Sequence, residues 1–189
     1  MSRLSCALAA ALTLSLVPAA PAFTAEAIHL GSEDFDARQQ AAVLALAGLE
    51  DVEDQYGNLS LKPGQFRWSD DGAKASRVVV NLNEQLLFVY SGSDLVAVST
   101  ISSGTAKNPT PSGIFPIMEK RRMHRSNRYN DAPMPFMQRL DNYGIALHAG
   151  ELPGYPASHG CIRLPREFAA KLFAATEVGT EVLVGAYVE

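Results

Sequence analysis

The sequence predicts a mainly β domain with a few helices. From residue 77 onward, β-branched and apolar runs alternate with turn residues, whereas only two segments carry helix-capping signals. An apolar fraction of 47% over 189 residues is enough for one domain with a buried core. The formal net charge of −4 argues against nucleic-acid binding, which favours a strongly basic surface.

The first 22 residues read as a secretion signal. Arg3 is followed by an apolar run that is too short to span a bilayer, and Ala20 and Ala22 are the small residues expected before a cut. The sequence therefore predicts an exported, periplasmic protein without a membrane span. A buried N-terminal helix or an uncleaved anchor is the alternative.

Residues 23–75 are predicted to form an N-terminal extension with one helix and a linker. A serine or an aspartate within residues 32–36 can cap a helix that ends at Gly48. Residues 50–54 are strongly acidic and are expected to form a solvated linker. The helix face expected to dock on the main domain consists of Phe35, Gln39, Ala42, Val43 and Leu46.

The main domain is predicted to cover residues 76–184, followed by a tail at 185–189. Its first three strands form a meander, and Pro116 in the fourth suggests a position at the edge of a sheet. Residues 120–142 look like a long loop. The predicted strands are 77–82, 85–90, 95–101, 114–119, 145–148 and 179–184, and a helix is predicted over 166–175.

Cys161 is the only cysteine expected to remain once the signal, which contains Cys6, is removed. A lone thiol in an oxidising compartment has no partner for an internal disulfide. Its neighbours include glycine, histidines and an arginine, which can favour the thiolate. The pattern predicts a cysteine nucleophile. The alternative is a buried cysteine acting as a small apolar side chain.

Residues near this cysteine supply the other parts of an acyl-transfer site. His148, at the end of the neighbouring strand, is the predicted general base, and His159 is a supporting group that shapes the loop or binds substrate. Gly160 allows a tight turn in which the amides of residues 160 and 161 converge on an oxyanion. Arg163 is placed to bind a substrate carboxylate. A structural histidine and a surface ion pair are the alternatives for His148 and Arg163.

Three other features keep two interpretations each. Ser158 either orients His159 or caps the loop. The basic residues 120–128 form either a lid that steers anionic peptides or a solvated loop. Residues 133–137 form either an apolar wall of the cleft or ordinary packing.

The order of His148, a loop and then residues 158–165 resembles the signature of the YkuD-type L,D-transpeptidases. The resemblance covers about residues 76–184 and includes 78–82, 86–90, 103–104 and 110–115. Two departures stand out: the loop between His148 and Ser158 is short, and Ala149 replaces the Gly or Ser of many relatives. A side-chain contribution at position 149 is therefore absent, and a main-chain carbonyl would have to orient His148.

The resemblance implies a β-sandwich-like catalytic domain and a peptidoglycan stem peptide as donor. Cys161 would attack the carbonyl of the third stem residue and release the terminal D-alanine. An amine from a second stem peptide, or from a protein such as one of the outer membrane, would then resolve the thioester. Water in that role would make the enzyme a carboxypeptidase or an endopeptidase. No metal or organic cofactor is implied.

Other classes fit the residues less well. A zinc site could use His148, His159 and Cys161, although the spacing of the last two is tight for a chelating pair. A papain-like protease needs a histidine after the cysteine, and none follows it. A sortase expects an arginine on a later strand. A non-catalytic wall-binding module is the remaining alternative.

Overall fold

The computed structural model describes residues 31–187, which form two β-sheets and two helices. The predicted signal, residues 1–22, lies outside this range. Within it, neither helix combines the length and apolar character needed to cross a bilayer. In chain order the elements are α1 Phe35–Tyr56, β1 Phe66–Trp68, β2 Arg77–Asn81, β3 Leu86–Ser91, β4 Asp94–Thr100, β5 Gly113–Pro116, β6 Glu119–Arg121, β7 Met137–Arg139, β8 Ala146–Ala149, β9 Ile162–Leu164, α2 Arg166–Ala175 and β10 Glu181–Gly185.

The two sheets confirm the predicted mainly β architecture. The larger sheet has the order β1-β4-β3-β2-β10-β5, and the smaller has the order β6-β7-β8-β9. Most neighbours are antiparallel, but β10 runs parallel to β2 and β9 runs parallel to β8. The β8–β9 pair matters for function because its crossover contains the loop that carries Cys161.

The main core lies where the two sheets and α2 meet. Fully buried side chains of β2, β3 and β10 pack with those of β8 and β9 in one cluster. Phe168 of α2 joins this cluster, and the rings of Phe66 and Trp68 meet it edge-on at 5.5 and 5.3 Å between centroids. The predicted helix over 166–175 is confirmed, and Phe168 and Leu172 face the core as expected. Phe173, which the sequence also places on the core face, is only half-buried and packs beside Lys120 and Phe136.

Helix α1 packs on the other face of the larger sheet, but through a different face from the predicted one. Its buried residues are Ala37, Ala41, Ala45, Gly48 and Val52, whereas Phe35, Val43 and Leu46 are exposed. The reason is close approach: a Cβ on Gly48 would lie 2.4 Å from the Phe88 ring, and one on Gly185 would lie 2.4 Å from the carbonyl oxygen of Ala41. Only small side chains fit this contact.

The acidic segment is part of α1, so the expectation of a solvated linker is wrong. The helix continues to Tyr56, where the amide of Gly57 donates to the carbonyl of Glu53. Asp51 accepts a hydrogen bond from the Tyr90 hydroxyl at 2.6 Å. Burial, and then this bond to Asp51, raises the pKa of Tyr90 well above its ordinary value. The segment therefore helps to fasten α1 to β3.

Pro116 ends β5, which lies at the edge of the larger sheet as predicted. The chain then crosses to the smaller sheet. The predicted long loop over 120–142 contains most of β6 and all of β7, so that expectation needs correction. Each of these strands has only three residues, which is too short for a clear alternating pattern.

Candidate active site

An open cleft of about 1130 Å³ runs along the smaller sheet. Cys161, His148, Arg163, His159 and Ser158 all line it. Five of the six residues predicted for the site therefore share one cavity. Gly160, the sixth, is buried beneath it and is not among the lining residues.

The parallel register of β8 and β9 brings His148 and Cys161 close together. His148 pairs with Arg163 on the neighbouring strand, and Cys161 directly precedes β9. With strands about 4.8 Å apart and a rise of about 3.3 Å per residue, the diagonal between the two α-carbons is about 8 Å. Since both side chains line the same cleft, they lie on the same face of the sheet.

His148 is buried and held by the main chain. Its Nδ1 lies 2.9 Å from the carbonyl oxygen of Ala149. The partner is thus a main-chain carbonyl, as expected for a position whose side chain has no polar group. That oxygen can only accept, so Nδ1 carries the hydrogen and Nε2 keeps its lone pair. Burial lowers the pKa of His148; the bond to Ala149 opposes this, and the Arg163 charge adds to the lowering. The direction of this shift favours the neutral ring, which can act as a base.

Cys161 is partly exposed and sits against an apolar cluster of Met134, Met137 and Ala146. Its Sγ donates to the carbonyl oxygen of Gly144 at 3.5 Å. Burial raises the pKa of Cys161 and outweighs the lowering by a main-chain hydrogen bond from Ala146 and by the Arg163 charge. The surroundings therefore favour the thiol over the thiolate in the resting site, and the role of Cys161 as nucleophile stays a prediction.

The Ser158 hydroxyl closes the turn that precedes the cysteine. Its Oγ accepts from the amide of Gly160 at 3.0 Å and donates to the carbonyl oxygen of Cys161. Ser158 therefore caps the loop and does not orient His159. This corrects the predicted oxyanion site, because the Gly160 amide already has an acceptor. The Cys161 amide has no hydrogen-bond acceptor among the described residues.

Gly160 has a φ of +117°, a conformation that strongly favours glycine. Its carbonyl oxygen accepts from the Thr110 hydroxyl at 2.7 Å, and the same hydroxyl accepts from the amide of Gly104 at 2.9 Å. The carbonyl of Ser103 accepts from the amides of residues 157 and 158. The cysteine loop is thus anchored to the segment that follows β4.

Arg163 is half-buried and held by the main chain, whereas His159 is exposed. The main chain of Arg163 exchanges two hydrogen bonds with Ser102, at 2.9 and 3.0 Å, and its side chain passes close to Gly150. No ion pair to Arg163 occurs within residues 31–187, so the surface-ion-pair alternative is not what these residues form. The exposed His159 ring stacks on Tyr129, with centroids 4.4 Å apart.

The basic segment, residues 120–128, divides between structural and cleft-lining roles. Lys120 donates to the carbonyl oxygens of Phe173 and Thr176 at the end of α2, and burial lowers its pKa. Arg125 pairs with Asp131 at 2.9 Å, whereas Arg128 lines the cleft and makes no ion pair within the described range.

The apolar segment, residues 133–137, also divides. Pro133, Met134, Pro135 and Met137 line the cleft. Phe136 packs near the Phe173 ring, at 6.0 Å between centroids. Most of this segment therefore forms an apolar wall of the cleft, and Phe136 contributes ordinary packing.

The zinc alternative finds no support in the arrangement of its ligands. Across residues 31–187, no three His, Cys, Asp or Glu side chains are grouped so that they could hold a metal ion. His159, one of the three proposed ligands, faces Tyr129.

Three residues that touch or influence the sulfur were not singled out from the sequence. Gly144 and Ala146 act through main-chain groups, which leave no residue-type signal. Asp141 contributes a negative charge that raises the pKa of Cys161. The only sequence signal for Asp141 is its position shortly before the predicted strand that ends at His148.

Comparisons with known proteins identify the family and the fold of the chain. Residues 75–184 match the family model described as YkuD, the L,D-transpeptidase catalytic domain. An L,D-transpeptidase from Mycobacterium smegmatis is similar in structure, with a TM-score of 0.56 and 21% identity over 61% of this chain and 60% of that one. A cysteine-to-serine mutant of the Enterococcus faecium L,D-transpeptidase gives a TM-score of 0.51 and 25% identity over 59% and 50%.

The carbamoyl enzyme formed by Ldtfm and avibactam gives a TM-score of 0.54 and 26% identity, covering 61% of this chain and 50% of that one. The chain thus spans between 50% and 60% of the length of these three structures. No curated protein matches the chain. The family model covers more than half of the 189 residues, and the chain therefore belongs to the YkuD family of L,D-transpeptidase catalytic domains.

Proposed function

We propose that this protein is a cysteine-dependent L,D-transpeptidase that transfers a peptidoglycan stem peptide to an amine. The observation that carries the proposal is the placement of Cys161 and His148 on one face of the smaller sheet, in one cleft. The family membership supports the reaction class. The proposed substrate lies outside the cytoplasm, which agrees with the export and periplasmic location expected from residues 1–22.

The first step is acylation of Cys161. Nε2 of His148 takes the thiol proton as Sγ attacks the carbonyl carbon of the third stem residue. The bond to the terminal D-alanine breaks, and its nitrogen takes the proton from His148. A neutral imidazole beside a protonated thiol fits this order of events, because the lowered pKa of His148 and the raised pKa of Cys161 favour an uncharged resting pair.

The developing oxyanion is bound by the amide of Cys161, whose N–H has no acceptor within residues 31–187. Arg163 lies beside His148 with its charge unpaired among those residues. Its guanidinium is suited to hold a carboxylate of the donor. His159, on the exposed side of the cleft, contacts the peptide.

The second step regenerates the enzyme. An acceptor amine attacks the thioester carbonyl, gives one proton to His148 and forms a new amide, and Cys161 leaves as a thiolate that recovers the proton. An amine on a second stem peptide gives a 3-3 crosslink, and an amine on a protein gives an anchored protein. Water gives a shortened stem peptide.

The test is incubation of the purified protein with a disaccharide tetrapeptide, followed by mass analysis of the products. A dimer joined between two third-position residues, with release of D-alanine, is the expected result. A tripeptide as the sole product would assign hydrolysis. An unchanged tetrapeptide that nevertheless binds the protein would assign a wall-binding module.

A covalent probe provides an independent readout of the nucleophile. Avibactam carbamoylates Ldtfm, and we expect the same group on Cys161. Cys161→Ala should abolish the added mass, whereas Cys6→Ser should leave it unchanged. Carbamoylation that survives Cys161→Ala would contradict the assignment.

A further inference from the structure

The turn between β7 and β8, residues 140–145, is organised by a single carboxylate. The amide of Leu140 donates to the carbonyl of Ile145 at 2.8 Å and closes the turn. Inside it, Oδ1 of Asp141 accepts hydrogen bonds from the amides of Tyr143, Gly144 and Ile145 at 2.9, 2.8 and 2.8 Å. Charge-assisted bonds of this kind are stronger than neutral ones.

Packing does not hold this turn in place. Asn142, Tyr143 and Gly144 are exposed, and a Cβ at Gly144 would meet no atom within 4 Å. Gly144 has a φ of +98°, so its own backbone does not favour one conformation strongly. The three bonds to Asp141 are therefore the main restraint on the direction of the Gly144 carbonyl.

That carbonyl is the group that receives the Cys161 thiol hydrogen, at 3.5 Å. The next residues along the chain lead directly into β8, where Ala146 faces the sulfur through its main chain. The turn thus supplies one contact to the sulfur, and the first residue of β8, which directly follows the turn, supplies a second. Both contacts depend on how the turn is held.

We propose that Asp141 is a positioning residue for Cys161, which fixes the Gly144 carbonyl that holds the thiol and keeps the sulfur protonated until His148 takes the proton. The proposal deepens the proposed transpeptidase function and rests on it. Asp141 touches no reacting atom, and it acts through Gly144 and through its charge. Arg163 on β9 is the other charge that acts on Cys161. His148 on β8, His159 in the cysteine loop and Arg139 on β7 line the same cleft. The Arg139 guanidinium donates to the main-chain carbonyl of Asp141 at 3.2 Å.

Two variants separate the hydrogen bonds that Asp141 accepts from the effect of its negative charge. Asp141→Asn keeps an oxygen that can accept the three amides but removes the charge. Asp141→Ala removes both. Asp70→Ala is the matched control, because Asp70 also accepts a turn amide, from Gly72 at 2.8 Å, and is not among the residues that line the cleft.

The first measurement is the rate of Cys161 alkylation by iodoacetamide against pH, in a Cys6→Ser background. It needs no stem peptide, so it remains informative if the protein does not consume the donor. Asp141→Asn should move the alkylation profile to lower pH than that of the parent, and Asp70→Ala should not move it. An Asp141→Asn profile equal to that of the parent would overturn the role of the charge.

The second measurement is kcat and KM for donor consumption, with thermal midpoints measured in parallel. Asp141→Ala should lower kcat by about 100-fold, the loss expected for a nucleophile displaced by about 1 Å, and Asp141→Asn should lose less. A wild-type kcat in Asp141→Ala would overturn the positioning role, as would a lower thermal midpoint with unchanged kcat. No donor consumption by the parent protein would count against the proposed function, and the alkylation profile would then decide the role of Asp141.

Discussion

Removing the Thr110 hydroxyl is the smallest substitution that should weaken the anchoring of the cysteine loop, because the size and shape of the side chain stay nearly the same. Thr110 is buried, and its Oγ1 donates to the carbonyl oxygen of Gly160 at 2.7 Å and accepts from the amide of Gly104 at 2.9 Å. In Thr110→Val a methyl group replaces the hydroxyl, and both main-chain groups lose their partner.

The expected cost follows from these two bonds. A buried polar group left without a partner costs about 1–3 kcal/mol. Two such groups give a loss of about 2–4 kcal/mol in the free energy of unfolding, allowing for partial relaxation. Thr110→Ser keeps the hydroxyl and removes only a methyl group, so its loss should stay near 1 kcal/mol.

Urea unfolding followed by tryptophan fluorescence measures this difference. Trp68 is the only tryptophan in the chain and packs against Phe168 in the main core. The slope of free energy against urea should stay the same in all three proteins, because the surface exposed on unfolding is unchanged. A loss below about 0.5 kcal/mol in Thr110→Val, or equal losses in the two variants, would refute the reasoning, since an intact pair of buried hydrogen bonds is worth more than that.

Three further outcomes follow from the structure. Because burial raises the pKa of Cys161, its alkylation rate should still be rising above pH 8.5, and a plateau near pH 7 would contradict this. Burial lowers the pKa of His148, so His148 binds a proton more readily in the unfolded chain than in the folded one. The free energy of unfolding should therefore fall as the pH drops below about 6.5. His148→Gln should weaken this pH dependence in urea titrations, and a pH dependence equal to that of the parent protein would contradict the prediction. Gly185→Ala should cost about 1–3 kcal/mol by forcing α1 away from β10. Gly72→Ala should be nearly neutral, because its Cβ would meet only the Asp70 carboxylate, at an ordinary contact distance of 3.4 Å. Equal thermal midpoints for the two variants would show that α1 can shift at no cost.

Local sequence signals predicted those parts of the fold that depend on local chemistry. The β-branched and apolar runs predict β2 to β4, Pro116 predicts that β5 lies at the edge of a sheet, and Pro165 predicts the start of α2. The packing face of α1 was missed because it is built from alanine and glycine, which carry little hydrophobic signal. It is selected by a close approach to the sheet, and that approach is a tertiary property. Strands β1, β6 and β7 have three residues each and exist through pairing with distant partners.

The candidate site divides in the same way. The side chains of Cys161, His148 and Arg163 were found from residue type and spacing, and the parallel register of β8 and β9 brings them together. The main-chain partners of the sulfur were not found, because a carbonyl or an amide looks the same at every position. The nearby positive charge favours a thiolate, whereas burial, which no short motif encodes, raises the pKa of Cys161.

The most direct test of the central claim is the mass of the protein after brief mixing with the tetrapeptide donor at limiting acceptor. The account predicts an added mass equal to the donor minus D-alanine, mapped by proteolysis to the peptide that contains Cys161 and absent from Cys161→Ala. Turnover of the donor by Cys161→Ala, or an acyl group on any other residue, would contradict it.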